Sequence, residues 1–592
     1  MGVDKNFEVE LLSDSEAWNC FAKIVGDNLL SDENSDEFKH LATQIVKECA
    51  RLPLAIITVA HALKNKGIHF WKDALRRLQR SSMDENVYAS VKLSYDFLEN
   101  GEARWILLFC SLYEEDAEIS FDDLLNLCIG WDLFKDVYAL EESRNRLQTL
   151  LGELKSRCLL LKGNYGDDSV KMHDVIRDVG ILIAASEDFK MYNIRNNGEL
   201  KKYLDDNNKL KDCIAISLGA NYEDEYCLPS RLNSPKLLLL RMKIEGSSLP
   251  DNFFEETKKL RVLYLSSLRL EPSPSSFSCL ENLQALHLVE VEIGDTHLIG
   301  KLKKLKVLDL SGSYMEQLPE QIGQLTCLLK LDLRGCSIGV VPPNVISRLV
   351  NLEELNMLRS FNYWKAEGEV DDENTSSNAS LSEVKNLTKL TALYLEIPHV
   401  TMLPKHLFNA KLERYCICLG GGRMGISSRG LKLNLELFDV SSSLLKERGF
   451  QMLLKRSENL QINKFNGLKN IVCELDKEGG LSHLKALEVD DNDEIQYIID
   501  YSSMEPNHIS DHSVLPSLET FDFNRVTNLE EICHGELRGA KSLAKLRQIK
   551  VLSCYRLKNL LPFFVAKRLE KIDVCFCRGM EKIVTFERVQ AL

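Results

Sequence analysis

Three stretches of the sequence carry side chains of a type and spacing that chemistry uses. Leu487 and Val489 run into Asp490 and Asp491, the form of a strand that delivers carboxylates to a magnesium ion. Gly294 to Lys301 is the nearest approach to G-x-x-x-x-G-K-[ST], the loop whose backbone N–H groups and lysine cradle nucleotide phosphates. Met172, His173 and Asp174 set an imidazole and a carboxylate just ahead of an amphipathic run, where a group titrating near neutral pH can report on a ligand. Each stretch also has a plainer reading. The two aspartates occupy ordinary repeat positions and read as surface acids. The first glycine of the loop-like stretch lies one residue too far from the second, and Leu302 stands where the magnesium-binding hydroxyl belongs. A histidine beside a helix start is more often structural than catalytic. No H-E-x-x-H or G-x-S-x-G occurs, so the expectation is a protein that is not an enzyme and holds no metal.

The 17 cysteines are odd in number and include no C-x-x-C, which fits reduced thiols better than a disulfide or zinc framework. Cys336, Cys554, Cys577 and Asn492 each fall three residues past the last leucine-type position of a repeat, where a small polar side chain faces the inside of a turn. Acidic residues outnumber basic ones 88 to 74, a net charge of -14. Such a surface repels phosphate backbones and anionic lipid, and no basic patch is evident along the chain, so no nucleic-acid partner is expected. The start, MGVDKNFEVELLSDSE, has no basic flank followed by an apolar core, and no run reaches the roughly 18 apolar residues of a membrane span. A cytoplasmic location is the expectation.

The elements that must position these residues are of two kinds. Leu305, Leu308 and Leu310 are followed 23 positions later by Leu328, Leu331 and Leu333, then Cys336 and Ile338, which completes L-x-x-L-x-L-x-x-C-x-I. This leucine-rich pattern makes one strand and one return segment per repeat, and each coil must stack to bury its apolar side. First positions recur at Leu237, Leu260, Leu283, Leu305, Leu328 and Leu352, then at Leu390, Leu412, Leu484, Leu518, Leu546 and Leu569. The register blurs between 420 and 480, and an acidic insertion, 359–382, interrupts the period. The predicted solenoid of α/β repeats therefore spans 236–592. Asp309, Lys330, Asp332, Tyr394 and Glu488 lie between the leucines on the strand side, the usual place for a protein partner.

Ahead of the repeats the rhythm is helical. Ser13 and Glu16 form a capping box, Ser35 is placed to cap Phe38 to Cys49, and Pro53 interrupts before the apolar run Leu54 to Leu63. Residues 1–82 thus read as a helical bundle. Helical periods continue to Leu154, then Cys158–Lys162 and Ser169–Met172 flank a turn rich in Gly, Asn and Asp, a hairpin or wing. Asp174 is placed to cap a last helix. Helices followed by a wing indicate a winged-helix domain over 83–190. Its candidate recognition helix, Asp122 to Cys128, is acidic and apolar, which argues against DNA reading. Residues 191–235 read as an irregular joining segment.

LLSDSEAWNCF (11 to 21), CARLPLAI (49 to 56), LSYDFL (93 to 98), LLFCSLYEEDAEI (107 to 119) and MHDVIRDVG (172 to 180) occur in that order ahead of LPEQIGQLTCL (318 to 328). Together they resemble the plant intracellular nucleotide-binding leucine-rich-repeat (NB-ARC LRR) disease-resistance proteins, most closely the coiled-coil class. The resemblance implies a defence receptor built around an ADP/ATP switch, with repeats that sense a pathogen effector or a guarded host protein. It implies that Leu52, Pro53 and Leu54 lie beside the adenine and that His173, with Met172 and Asp174, reaches the phosphate end of ADP. The family's P-loop, acidic magnesium strand, sensor arginine and coiled coil have no counterpart here, and Arg51 stands where the family usually has glycine. The expectation is a receptor truncated at the N-terminus, acting alone or with a full-length receptor. The alternative is a scaffold or decoy that binds through its repeats and never switches.

Overall fold

The structure, a computed structural model, describes residues 10–26, 35–80, 86–186, 188–205, 207–219, 228–245, 248–270, 272–293, 297–366, 378–404, 407–408, 412–421, 432–475, 481–500, 502, 513–535 and 541–585. The Ser35 side chain, Gly294, the acidic run Glu367 to Glu373 and Asn374 lie outside them. The chain divides into two compact units, Met1–Leu288 with Lys304–Val307, and Val289–Lys303 with Leu308–Leu592.

The first unit opens on helices α1 (Asp14–Val25), α2 (Ser35–Glu48), α3 (Pro53–Leu63) and α4 (Ile68–Leu78). The capping box is present: the Ser13 N–H donates to Glu16 Oε2 at 2.9 Å and the Glu16 N–H to Ser13 Oγ at 3.3 Å. Helix α3 begins with its proline at the first position, where the missing N–H costs nothing, and is apolar nearly all round because it is buried. These helices close on Trp71, which meets Phe21 and Phe38 edge-on at 5.7 and 5.2 Å. Trp71 and Phe21 are fully buried and contribute about 2–3 kcal/mol each.

A second core is built by α5 (Asn86–Asp96), α6 (Gly101–Ser111), α7 (Phe121–Trp131), α8 (Leu140–Ser156) and α9 (Asp174–Ala184). Between α8 and α9 runs the expected hairpin, β2 (Leu161–Gly163) and β3 (Gly166–Lys171), with β1 (Ile119–Ser120) paired on the other side of β3. Gly166 turns it at φ +74°, a conformation that suits glycine. The cap of α9 differs from expectation. His173 is the capping residue, its ring Nδ1 accepting from the Val175 N–H at 3.2 Å, and Asp174 is the first helical residue.

The segment 191–235, expected to be irregular, instead begins a parallel ladder. β4 (Met191–Ile194), β5 (Ala215–Gly219), β6 (Leu239–Lys243) and β7 (Val262–Ser266) pair in register. The first two escaped detection because their polar flanks lack the leading leucine.

In the second unit a parallel ladder runs through β8 (Lys330–Asp332), β9 (Glu354–Asn356), β10 (Ala392–Ile397), β11 (Arg414–Leu419), β12 (Leu433–Phe438), β13 (Asn459–Asn463), β14 (Ala486–Asn492), β15 (Thr520–Val526), β16 (Gln548–Leu552) and β17 (Lys571–Cys575). Leu328, Leu352, Leu390, Leu412, Leu484, Leu518, Leu546 and Leu569 each stand two residues before a strand. The blurred stretch holds β12 and β13. The turn slots are as expected: Cys336 Sγ donates to the Leu310 carbonyl at 2.9 Å and Asn492 Nδ2 to the Phe465 carbonyl at 3.1 Å. No helix among the described residues is long and apolar enough to cross a membrane.

Candidate functional site

The sequence-derived residues sit at two helix starts. Leu52 packs on the first helical core and Leu54 on the second, so the motif stitches the two together. Pro53 between them is exposed, as is Arg51. Ala50 and Arg51 hold φ values of +50° and +60°, which gives a backbone reason for glycine at the Arg51 position. Met172 is buried in the second core, His173 is exposed, and Asp174 is half-buried. Helices α3 and α9 both pack on α5, so Pro53 and His173 begin two helices that share a neighbour.

The rest of MHDVIRDVG explains itself by packing. Arg177 is buried and its Nε donates to the Tyr113 carbonyl at 3.1 Å. Gly180 lets α9 approach α6, since a Cβ there would come within 2.8 Å of Ser111 Cβ.

Tyr113 belongs to a segment that sequence reasoning did not single out as a contact. At the end of α6 and just beyond it, Ser111 to Glu114 lie across the outer side of the strands β4 to β7. Asn193 Nδ2 donates to the Ser111 carbonyl at 3.3 Å, and Ser217 Oγ to the Leu112 carbonyl at 2.9 Å. The Arg241 guanidinium lies 4.3 Å from the Tyr113 ring centre and 5.1 Å from that of Tyr264. Lys243 Nζ reaches Glu114 at 3.3 Å. Asn193, Ser217, Arg241 and Tyr264 are register neighbours, so one row of strand positions meets one loop. Arg241 is buried with Nε and Nη1 lacking hydrogen bonds, which leaves the two rings as its main compensation. Burial pushes the Tyr113 phenol well above its ordinary value.

One row closer to the strand starts, Met191, Ala215, Leu239, Val262, Ala285 and Val307 join the second helical core. Helix α7 presses on this row through Gly130, where a Cβ would fall 2.5 Å from Ala285 Cβ and 2.7 Å from Val262 Cγ2. The signal was in the sequence: the residue two past each leading leucine is apolar at 239, 262, 285 and 307 and charged at 330 and 354.

In the second unit the strand-side residues expected to meet a partner divide. Asp309, Lys330 and Asp332 are buried, not presented, while Tyr394 and Glu488 are half-buried. Lys330 is taken up by Glu354 at 3.0 Å, both nearly inaccessible. Asp309 and Asp332 turn back to accept the N–H groups of Ser311 and Arg334, each at 2.9 Å. Burial first, then the neighbouring Asp309 carboxylate, push Asp332 up to about 7. Beyond them Glu396, Cys418, Glu436, Gln461, Glu488, Asp522, Lys550 and Asp573 follow in register across the ladder.

The weaker sequence candidates resolve as structure. Asp490 and Asp491 pair with Arg525 at 2.9 and 3.8 Å. Gly300 sits in a short turn of helix where its Cβ would meet Gln321 Cβ at 2.3 Å, a packing glycine. Where the linear sequence shows no basic patch, the fold brings Lys259, Arg261 and Lys304 onto one cleft of about 300 Å³. The two runs that supply it are far apart in the chain.

Residues 434–578 match the family described as plant disease resistance protein RPS2-like, leucine-rich repeats, and residues 242–414 match a leucine-rich repeat region. Disease resistance protein At4g27190 of Arabidopsis thaliana is 27% identical over 98% of this chain and 60% of its own length. A second protein of that plant, At4g27220, is 28% identical over 100% of this chain and 64% of its own length. The chain thus spans less than two thirds of these relatives. Disease resistance protein RFL1 of the same plant is 29% identical over 56% of this chain and 36% of its own length.

Proposed function

We propose that this chain, a homologue of plant disease resistance proteins, serves as a plant defence receptor whose repeats recognise a pathogen effector or a guarded host protein and so regulate a nucleotide-responsive helical region. The observation that carries this reading is the docked segment Ser111–Glu114. It occupies, within one compact unit, the kind of strand face on which repeat proteins take partners. A ligand with higher affinity for the released state than for the docked one shifts the population toward release, and without that difference it shifts nothing.

On this reading 83–190 is a winged-helix domain and the helices before it are the helical subdomain of a nucleotide-binding region. Leu52, Pro53 and Leu54 line the adenine side, and His173 meets the phosphate end of ADP. His173 caps α9 and Arg177 lies one turn into it, and Arg177 holds the Tyr113 carbonyl, so a nucleotide contact at the start of that helix reaches the docked loop within about one turn. The chain performs no catalysis of its own in this scheme, and its partners are proteins met in the cytoplasm. With no phosphate-cradling loop in the sequence, calorimetry should find weak ADP binding at most. Nanomolar affinity would overturn that part of the reading.

The recognition role is tested in plants lacking the protein, which should lose the cell-death response to at least one pathogen isolate. Wild-type chain in its native gene context should restore it, and a variant carrying Glu396→Lys and Glu488→Lys should not. Full restoration by that variant would remove the strand face from recognition. The second reading, a non-switching scaffold or decoy, draws only on the polar strand face of the second unit, where Gln461, Glu488, Asp522 and Lys550 stand in register. His173→Ala separates the two: constitutive cell death supports the switch, and an unchanged phenotype supports the scaffold.

A further inference from the structure

We propose that Cys416, Cys418 and Glu436 form a binding site for a thiophilic divalent cation of the zinc class on the strand face of the second unit. Residues two apart on a strand share a face, so β11 presents both thiols side by side. Its neighbour β12 sets Glu436 directly opposite Cys418. Oε1 lies 3.8 Å from Cys416 Sγ and Oε2 lies 3.1 Å from Cys418 Sγ. The three ligand atoms all fall within 4.8 Å of one another. Metal–sulfur bonds of about 2.3 Å and metal–oxygen bonds of about 2.0 Å in a tetrahedron require sulfur–oxygen separations of about 3.5 Å, so little movement is needed.

Two further observations point to a ligand. All three residues are buried, at 3%, 7% and 3% exposure, and this is the one such group among the described residues. The hydrogen bonds that reach the Glu436 carboxylate come from the two thiols, weak donors that compensate a buried charge poorly. A divalent cation supplies that compensation. A disulfide does not, because Cβ atoms two apart on an extended strand stand about 6–7 Å apart, beyond the span of an unstrained bridge.

On binding, each thiol gives its proton to solvent and each sulfur and one carboxylate oxygen donates a lone pair to the cation. Water fills the fourth place. The site carries three negative charges against two on the metal; Arg359 acts on Glu436 to offset the remainder, and the Glu488 carboxylate opposes it. A search for C-x-x-C passes over this pattern, in which the strand itself brings residues two apart onto one face.

The test is cobalt(II) titration of the reduced chain, read by the thiolate-to-cobalt charge-transfer band and the visible bands of a tetrahedral site, with zinc(II) as competitor. One cobalt per chain should bind and zinc should erase the bands. The Cys416→Ser and Cys418→Ser double variant should lose them, and Glu436→Gln should weaken binding more than about tenfold. Cys575→Ser with Cys577→Ser, a C-x-C pair elsewhere, should leave them intact. Zinc should raise the Tm of the wild type and not of the double variant, a readout that holds even where the variant is less stable. Absence of the bands, or their persistence in the Cys416/Cys418 double variant, would overturn the proposal.

Discussion

The same strand position carries opposite chemistry in the two units. In the first, Met191, Ala215, Leu239, Val262, Ala285 and Val307 form an apolar row closed under the second helical core, with α7 at Gly130 distance from it. In the second, the row reads Lys330, Glu354, Ala392 and Arg414 in register. The leading leucines are alike in both, because they build the coil and not its outer face. What differs is what the row meets: the second helical core in the first unit, and neighbouring polar side chains in the second. Where helices lie on it, apolar area removed from water supplies the stability. Along the second unit the strands satisfy polar side chains across the ladder, through Lys330–Glu354, Gln461–Glu488 and Lys550–Asp522.

The contrast can be broken most severely in the covered row. Val262→Asp places an unpaired carboxylate against α7 and should destabilise the first unit by about 4 kcal/mol or more in chemical denaturation. Lys550→Ala, on the open side, should change stability by less than about 0.5 kcal/mol. Next comes Lys330→Ala, which strands Glu354 without its buried partner and should cost about 3–5 kcal/mol. Glu354→Leu added to Lys330→Met should recover most of that loss, since an apolar pair needs no charge compensation.

A smaller effect separates the rows by pH. Asp332 has its folded pKa raised to about 7 against an unfolded value near 4, so the fold binds more protons than the unfolded chain between those values. Its contribution is fully present at about pH 4 and is lost as pH rises through 7. Asp332→Asn keeps the side-chain oxygen that receives the Arg334 N–H, as Asn356 does for Leu358 one repeat on. It should flatten the fall in Tm across this window, and an unaltered pH profile would show that Asp332 ionises freely. The mildest change is Arg51→Gly, which relieves a left-handed backbone and should stabilise the helical part by about 1 kcal/mol, read as a rise in Tm.

Much of this architecture was legible along the chain. The leucine spacing placed the strands at Lys330, Glu354, Ala392, Arg414, Ala486, Thr520, Gln548 and Lys571, because burying one side of a coil leaves little freedom in period. The helices, the hairpin and the cysteine turn slots also follow from local pattern. What escaped runs across the chain. Arg241 meets Tyr113 and Ser217 meets Leu112 across the chain, Lys259 and Lys304 line one cleft through the stacking of repeats, and no local period records such pairs. Lys330 and Asp332 were legible as outward-facing but not as buried, since no local period records the pairing of Lys330 with Glu354 or the turn of the Asp332 carboxylate back onto the Arg334 N–H. β4 and β5 were missed for want of a leading leucine. The placement of Pro53 and His173 came from resemblance, and their helix-start geometry is compatible with several roles.

The account rests on the docking of Ser111–Glu114 against the strand face, and Arg241 with Tyr113 is its most direct probe. A double-mutant cycle of Arg241→Ala and Tyr113→Leu, followed by denaturation of the first unit, isolates their coupling from the effect of either change alone. The two rings around a desolvated guanidinium predict a coupling of about 1–2 kcal/mol. Additive losses, with no coupling, would contradict it.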